Sequence, residues 1–244
     1  KHPNIVATFD FFEEPEKFYL VMEKISGGEL FDRITEKTFY SEKEARDLVR
    51  VLLGAMAYLH GKNIAHKDLK PENLLMTSKD DDANVKIVDF GFAEECDGFS
   101  LTTQCGTPGY IAPEIIEGKL HGVPVDCWSL GVIIYILLGG YPPFHDQDQK
   151  RLYKKIRKGV YEFHQEYWGG VSDDAKDLIR GFLTVDPHKR LSVEKAMEHP
   201  WLMKDGKTLA ARNLDSNKKE LRKFQIRRRF RKGIRAIIAV NRMK

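Results

Sequence analysis

The sequence predicts an α+β fold, with a few short strands leading into a mainly helical body. Three observations predict it. Residues 5–12 and 18–24 are rich in β-branched and aromatic side chains and flank Glu13-Glu14-Pro15-Glu16, the pattern of a hairpin. Ser41-Glu42-Lys43-Glu44 is a capping box, and Ala45, Leu48, Val49, Leu52, Met56 and Leu59 follow at helical spacing, giving a long helix with one buried face. Val125-Asp126-Cys127-Trp128-Ser129-Leu130-Gly131 opens a helix apolar on all sides, as expected of one buried through the centre of a domain.

The remaining elements fill in around these. Ser26-Gly27-Gly28-Glu29-Leu30 starts a short helix, where Glu29 suits the first turn because a helix dipole favours a carboxylate there. Leu74-Leu75-Met76 and residues 85–88 read as two short strands. Asp80-Asp81-Asp82 between them lacks the Gly at position six and the Glu at position twelve of a calcium loop, so it reads as a solvated turn. From Met203 the character changes: a polar linker, residues 204–217, leads into residues 218–244, where basic and apolar residues alternate in patches.

Composition bounds the function. The 244 residues, 42% hydrophobic, allow one large domain or two small ones with a substantial core. Three cysteines, none in a C-x-x-C pair, point to reduced thiols in an intracellular protein. Nothing resembles a signal peptide, and the longest apolar run, residues 130–138, is too short to span a bilayer. The expected location is therefore cytoplasmic, with the nucleus also open to it. The net charge of +4 hides an asymmetry: residues 218–244 carry twelve Lys/Arg and one Glu, which leaves −7 for the rest. A mildly acidic body is joined to a strongly basic tail.

The chemistry concentrates in residues 64–114. Asp68 can take the proton of an acceptor hydroxyl, and Lys70 can offset the charge of a moving phosphoryl group. Asn73 and Asp89 are hard oxygen ligands of the kind Mg²⁺ prefers. Taken together, His66-Lys67-Asp68-Leu69-Lys70-Pro71-Glu72-Asn73, Asp89-Phe90-Gly91 and Gly106-Thr107-Pro108-Gly109-Tyr110-Ile111-Ala112-Pro113-Glu114 resemble the catalytic loop, metal-binding loop and activation segment of eukaryotic protein kinases.

That resemblance implies a protein-kinase-like fold over residues 1–202, a mainly helical large lobe with a remnant of the β-rich small lobe. It implies ATP and Mg²⁺ as cofactors, with Asn73 and Asp89 on the metal. Met22 would border the adenine pocket, the backbone of Glu23 and Ile25 would hydrogen-bond the base, and Leu75 would form the floor. Glu29 would meet ribose or, with Glu72, a basic residue of the protein substrate. Thr107 would hydrogen-bond Asp68 and Lys70, which favours Ser/Thr over Tyr acceptors. Asp126 would hold the catalytic-loop backbone, and Glu114 would pair with Arg190. Ile136 stands where kinases requiring two substrate arginines carry a carboxylate, so one upstream arginine is expected. Thr103, with Thr102 as rival, lies where an upstream kinase phosphorylates relatives. Lys67 replaces the arginine that grips such a phosphate; it keeps the charge but loses the bidentate fork. Cys105 reads as an ordinary thiol.

The chain holds no Gly-x-Gly-x-x-Gly loop, no Val-Ala-x-Lys strand and no regulatory-helix glutamate, so a truncated, inactive fragment is expected. In the tail, Phe230, Ile234, Ile237 and Met243 share one broad helical face, interleaved with basic residues. Phe230 and Met243 are thirteen residues apart, which would let two lobes of calmodulin each hold one anchor. Gly233 lowers free helicity by about 1 kcal/mol, compatible with a segment that orders on binding. Residues 203–244 thus resemble the linker and autoinhibitory, calmodulin-binding segment of calcium/calmodulin-dependent protein kinases. The competing readings of the tail are a nuclear-localisation or nucleic-acid patch around Arg227-Arg228-Arg229 and a plain solvated helix; the regular apolar anchors argue against both. For the whole chain the alternatives are a calmodulin-binding pseudokinase and, from Ile64-Ala65-His66 and Gly91-Phe92-Ala93, a relative of MAP-kinase-activated protein kinases.

Overall fold

The computed structural model describes residues 1–37, 40–78 and 84–242, with side chains described as far as Ile234, Lys232 excepted. The Asp80–Asp82 turn and the Met243 anchor lie outside the described residues, as does the side chain of Ile237.

The chain starts with a strand pair, β1 (Thr8–Glu14) and β2 (Lys17–Met22), joined by a tight turn at Pro15-Glu16. Both strands are displaced from the expected ranges. Ile5 and Val6 instead run beside residues 85–87, with Val6 N–H donating to Ile87 O at 3.0 Å. Every residue of the hairpin is exposed, Phe9 by 67% and Phe18 by 70%. Next come α1 (Leu30–Glu36) and α2 (Glu42–His60), the latter started by the expected capping box of Ser41 and Glu44. The short strands β3 (Ile64–Ala65), β4 (Leu74–Met76), β5 (Val85–Ile87) and β6 (Glu94–Glu95) follow. β4 pairs with β5 and β3 with β6, both antiparallel. The second pair was not legible in sequence, because two-residue strands carry no periodicity.

After α3 (Pro113–Ile116) the core is built around α4 (Pro124–Gly139), in which every residue from Val125 onward is buried. A helix apolar all round needs neighbours on all sides. They come from α2, β3, α6 (Gln165–Trp168), α7 (Asp173–Phe182) and the last helix of the chain, while α5 (Gln149–Lys158) packs on α3, and α8 (Val193–Met197) and α9 (Pro200–Met203) pack on α2. Glu114 and Arg190 meet as a buried ion pair of two parallel bonds, 2.7 and 2.9 Å, as expected. Glu42 is buried as well, accepting hydrogen bonds from Ser172 and, at 2.7 Å, from Trp201 Nε1.

The tail differs from a linker followed by a separate segment. Residues 206–210 form α10 (Gly206–Ala210), and the last helix, α11 (Asp215–Arg242), begins before Lys218. Leu214, Asn217, Leu221 and Gln225 are buried at helical spacing. Asn217 Nδ2 donates to the carbonyls of Leu138 (2.6 Å) and Tyr167 (2.7 Å), satisfying orphan groups at the ends of α4 and α6. Gly140 ends α4 at φ +81°, and a side chain there would lie 2.3 Å from Asn217 O, so glycine alone lets α11 approach. The polar composition of residues 204–217 hid this docking, since a single amide and one leucine per turn suffice for it.

Candidate active site

The catalytic loop is fixed by its backbone. Asp126, fully buried on α4, accepts the amides of His66 and Lys67 at 2.8 Å each and lies 3.1 Å from His60 Nε2. Burial pushes the Asp126 carboxyl pKa up, but the His60 hydrogen bond and the nearby His60 and His66 charges outweigh it and hold the value below the ordinary range. Lys67 takes a left-handed φ of +66°, a costly conformation for a side chain with a Cβ, kept by these bonds. Asp89 is also left-handed, at +62°.

Asp68 thereby sits buried beside two partners: Thr107 Oγ1 donates to it at 2.6 Å, and the Lys70 ammonium pairs with its other oxygen. Lys70 Nζ also reaches Thr107 at 3.3 Å. Asn73 Nδ2 donates to Asp68 O at 2.9 Å, a bond that does not use its amide oxygen. Among the described residues, the exposed Asp89 carboxylate accepts one hydrogen bond, from the Gly91 amide at 3.3 Å. Both line one cleft of about 950 Å³ with Lys70, Glu72 and Thr107. Two residues with hard oxygen donors lining one roomy cleft fit a Mg²⁺ held jointly with phosphates. The ring of Phe90 packs edge-on to His66, 4.9 Å between centroids.

The segment between β2 and α1 lies along β4. Gly27 N–H donates to Met76 O and Met76 N–H to Gly28 O, on either side of the half-buried Leu75 of β4. Met22 is exposed at its start. Of the Glu23 backbone groups, the N–H donates to Ala7 O at 2.9 Å, so the carbonyl is the group that remains for a base. Its carboxylate is tied to Lys86 (2.7 Å) and Ala7 N–H (2.7 Å), and the Lys86 bond holds its pKa low. Ile136 is fully buried. Thr102 and Thr103 are exposed, and Thr103 Oγ1 donates to Glu94 at 3.3 Å. Burial pushes the Cys105 thiol pKa up.

The tail forms a wall of the same cleft through Phe224, Arg228 and Arg231. Arg228 pairs with Glu29, and its other terminal nitrogen comes within 3.1 Å of Glu72. That second contact is an ion pair without hydrogen-bond alignment, since neither of its two atoms has a hydrogen-bond partner. Arg229 pairs with Asp32, to which Gln225 Nε2 also donates at 3.0 Å. In sequence, Arg227-Arg228-Arg229 suggests only a nuclear-localisation or nucleic-acid patch, and no motif singles out Asp32 as a partner. The signal lay in the spacing: Glu29 and Asp32 are one helical turn apart and face Arg228 and Arg229. The opposite face of α11 presents Ile226 (59% exposed), Phe230 (70%) and Ile234 (41%) outward, and Ile226 had not been foreseen.

The sequence profile of the protein kinase domain matches residues 1–202, and the chain belongs to the protein kinase family. Its relatives narrow this to a serine/threonine protein kinase of the calcium/calmodulin-dependent type, an enzyme that uses ATP. It is 44% identical to a calcium/calmodulin-dependent protein kinase type 1 of Macrobrachium nipponense, over 100% of this chain and 70% of the relative. It is 42% identical to the Caenorhabditis elegans protein of that name, again over 100% and 70%. To myosin light chain kinase A of Dictyostelium discoideum it is 50% identical over 82% of this chain and 68% of the relative. Among the described residues no helix is long and apolar enough to cross a membrane.

Proposed function

We propose that Asp68 is the base that takes the proton of a substrate Ser/Thr hydroxyl, and that Lys70 steadies the transferred phosphoryl group. Thr107, bonded to both, keeps the base and the cation in register and lines the place of the acceptor. Asn73 and Asp89 would hold Mg²⁺, which when bound supplies charge neutralisation of the phosphates. Met22, the carbonyl of Glu23, Ile25 and Leu75 would hold the adenine, and Glu29 and Glu72 would take a basic residue upstream of the acceptor. Thr103 would be the activating site of an upstream kinase. The protein would work in the cytoplasm, on proteins and not on nucleic acid.

The tail, residues 203–244, is proposed to inhibit the site and to leave it on binding Ca²⁺/calmodulin. One observation carries this: Arg228 stands between Glu29 and Glu72, the two carboxylates assigned to the substrate's basic residue. A helix that fills this subsite excludes a substrate that needs it. Its outward stripe of Ile226, Phe230 and Ile234 is meanwhile ready for a second partner. A charge-assisted hydrogen bond is worth about 1.5–3 kcal/mol, so Arg228→Ala is expected to raise calmodulin-independent activity about tenfold. The assay is peptide phosphorylation by the native kinase with and without Ca²⁺/calmodulin. Unchanged basal activity in that variant removes the inhibitory role.

A further inference from the structure

The Lys67 ammonium is buried, with its side chain 1% exposed, and its ion-pair partner is Glu94. Three observations show that this pair is built into the backbone. Glu94 lies directly opposite Ala65 in the β3–β6 ladder, so main-chain pairing delivers it to the loop two residues before Lys67. The activation segment closes over the same place: a side chain at Gly106, where φ is +122°, would come 3.2 Å from Lys67 O. Thr103 Oγ1, from the same segment, donates to the other Glu94 oxygen at 3.3 Å.

We infer that Glu94 is a positioning residue for phosphoryl transfer, a resident anion that holds Lys67, and with it the Asp68 loop, in working order before any phosphate is added. In general, phosphorylation orders an activation segment by supplying an anion to a buried cation of the catalytic loop. Here a carboxylate already occupies that cation. The Lys67 hydrogen bond holds the Glu94 pKa low, so the carboxylate is ionised at neutral pH. A phosphate on Thr103 arrives beside a like charge and must displace Glu94 to reach Lys67, so it exchanges one anionic partner for another. The gain from phosphorylation is therefore small in the natural sequence and larger once Glu94 is neutralised. The inference rests on the proposed roles of Asp68 and Thr103.

The test compares the native kinase with Glu94→Gln, Lys67→Met and the double variant, each freed of phosphate and then phosphorylated on Thr103. Glu94 is 40% exposed on its side chain and glutamine matches its shape, so folding is expected to survive, and Glu94→Asp provides a second variant that keeps the charge. Unphosphorylated Glu94→Gln is expected to lose about tenfold in kcat with the peptide KM within about twofold, while Glu94→Asp keeps most of the rate. Phosphate on Thr103 should restore Glu94→Gln by more than it stimulates the wild type. In the Lys67→Met background, Glu94→Gln should add nothing, because the partner is already gone. A Glu94→Gln kcat within about twofold of wild type, or losses that multiply as for independent sites, overturns the inference. Full activity in Asp68→Asn would instead sink the catalytic reading, and absence of phosphate stimulation in all forms would sink the Thr103 reading. Both are separable from the Glu94 result.

Discussion

Asp68 is held on both oxygens by this chain's own residues, Thr107 and Lys70, yet a carboxylate has about four acceptor positions, so a substrate hydroxyl can still be received. In the native kinase, Asp68→Asn is expected to lower kcat by about 10²–10⁴, the usual contribution of a general base. Nucleotide affinity, followed by titration calorimetry, should stay unchanged, because the base acts on the acceptor. Loss of nucleotide binding in a folded variant would contradict the assignment. Thr103 makes a separate forecast. Thr103→Ala should keep basal activity and lose stimulation by an upstream kinase, with the phosphate on Thr103 and not Thr102 by mass spectrometry. Lys67→Arg should enlarge the stimulation, because a guanidinium can hold phosphate by paired hydrogen bonds as well as share it with Glu94.

At the scale of elements, the buried carboxylates are joints between helices and loops. Asp126 ties α4 to the catalytic loop and to His60 at the end of α2; Glu42 ties the start of α2 to Ser172 before α7 and to Trp201 in α9. The acid side of the stability curve follows from Asp126. Its pKa in the folded protein lies below the free value of 3.8, so it contributes stability that is present above that value and lost as the pH falls through the folded one. Asp126→Asn should cost about 3–5 kcal/mol near neutral pH, the usual penalty for breaking a buried pair. It should also flatten the fall in stability as the pH drops below 3.8. Urea unfolding at a series of pH values measures both, and an unchanged acid limb in the variant would show that other carboxyls govern it.

For the whole molecule, the lopsided charge becomes a docking interaction. The basic helix α11 lies across an acidic rim made of Glu29, Asp32 and Glu72, anchored at its base by Asn217 and Leu221 and leaving its apolar stripe outward. Burying one Phe side chain is worth roughly 1.5–3 kcal/mol, so Phe230→Asp should weaken Ca²⁺/calmodulin binding at least about tenfold. A purely electrostatic patch would tolerate that change and would weaken steeply with salt instead. Titration of the native kinase, and of a peptide of residues 218–244, with calmodulin in the presence and absence of Ca²⁺ distinguishes the two. Calcium-independent binding removes the calmodulin proposal and leaves the kinase standing.

The sequence by itself determined the long helices, the capping box at Ser41, the core helix and the set of residues around Asp68, because local periodicity and motif spacing are properties of neighbours in the chain. It also determined that the tail is basic and amphipathic. Apart from the Glu114–Arg190 pair, which the motifs implied, tertiary structure decided which cation meets which anion. The Lys67–Glu94 pair depends on two strands of two residues each, too short to show a period, and Arg228 finds Glu29 and Glu72 only because α11 crosses a helix some two hundred positions earlier in the chain. The docking of residues 204–217 was hidden for the same reason: a glycine at position 140 and an asparagine at 217 are unremarkable in sequence and become complementary only when α4 ends against the start of α11. Contacts of this kind depend on the shape of the packed core, which no local pattern encodes.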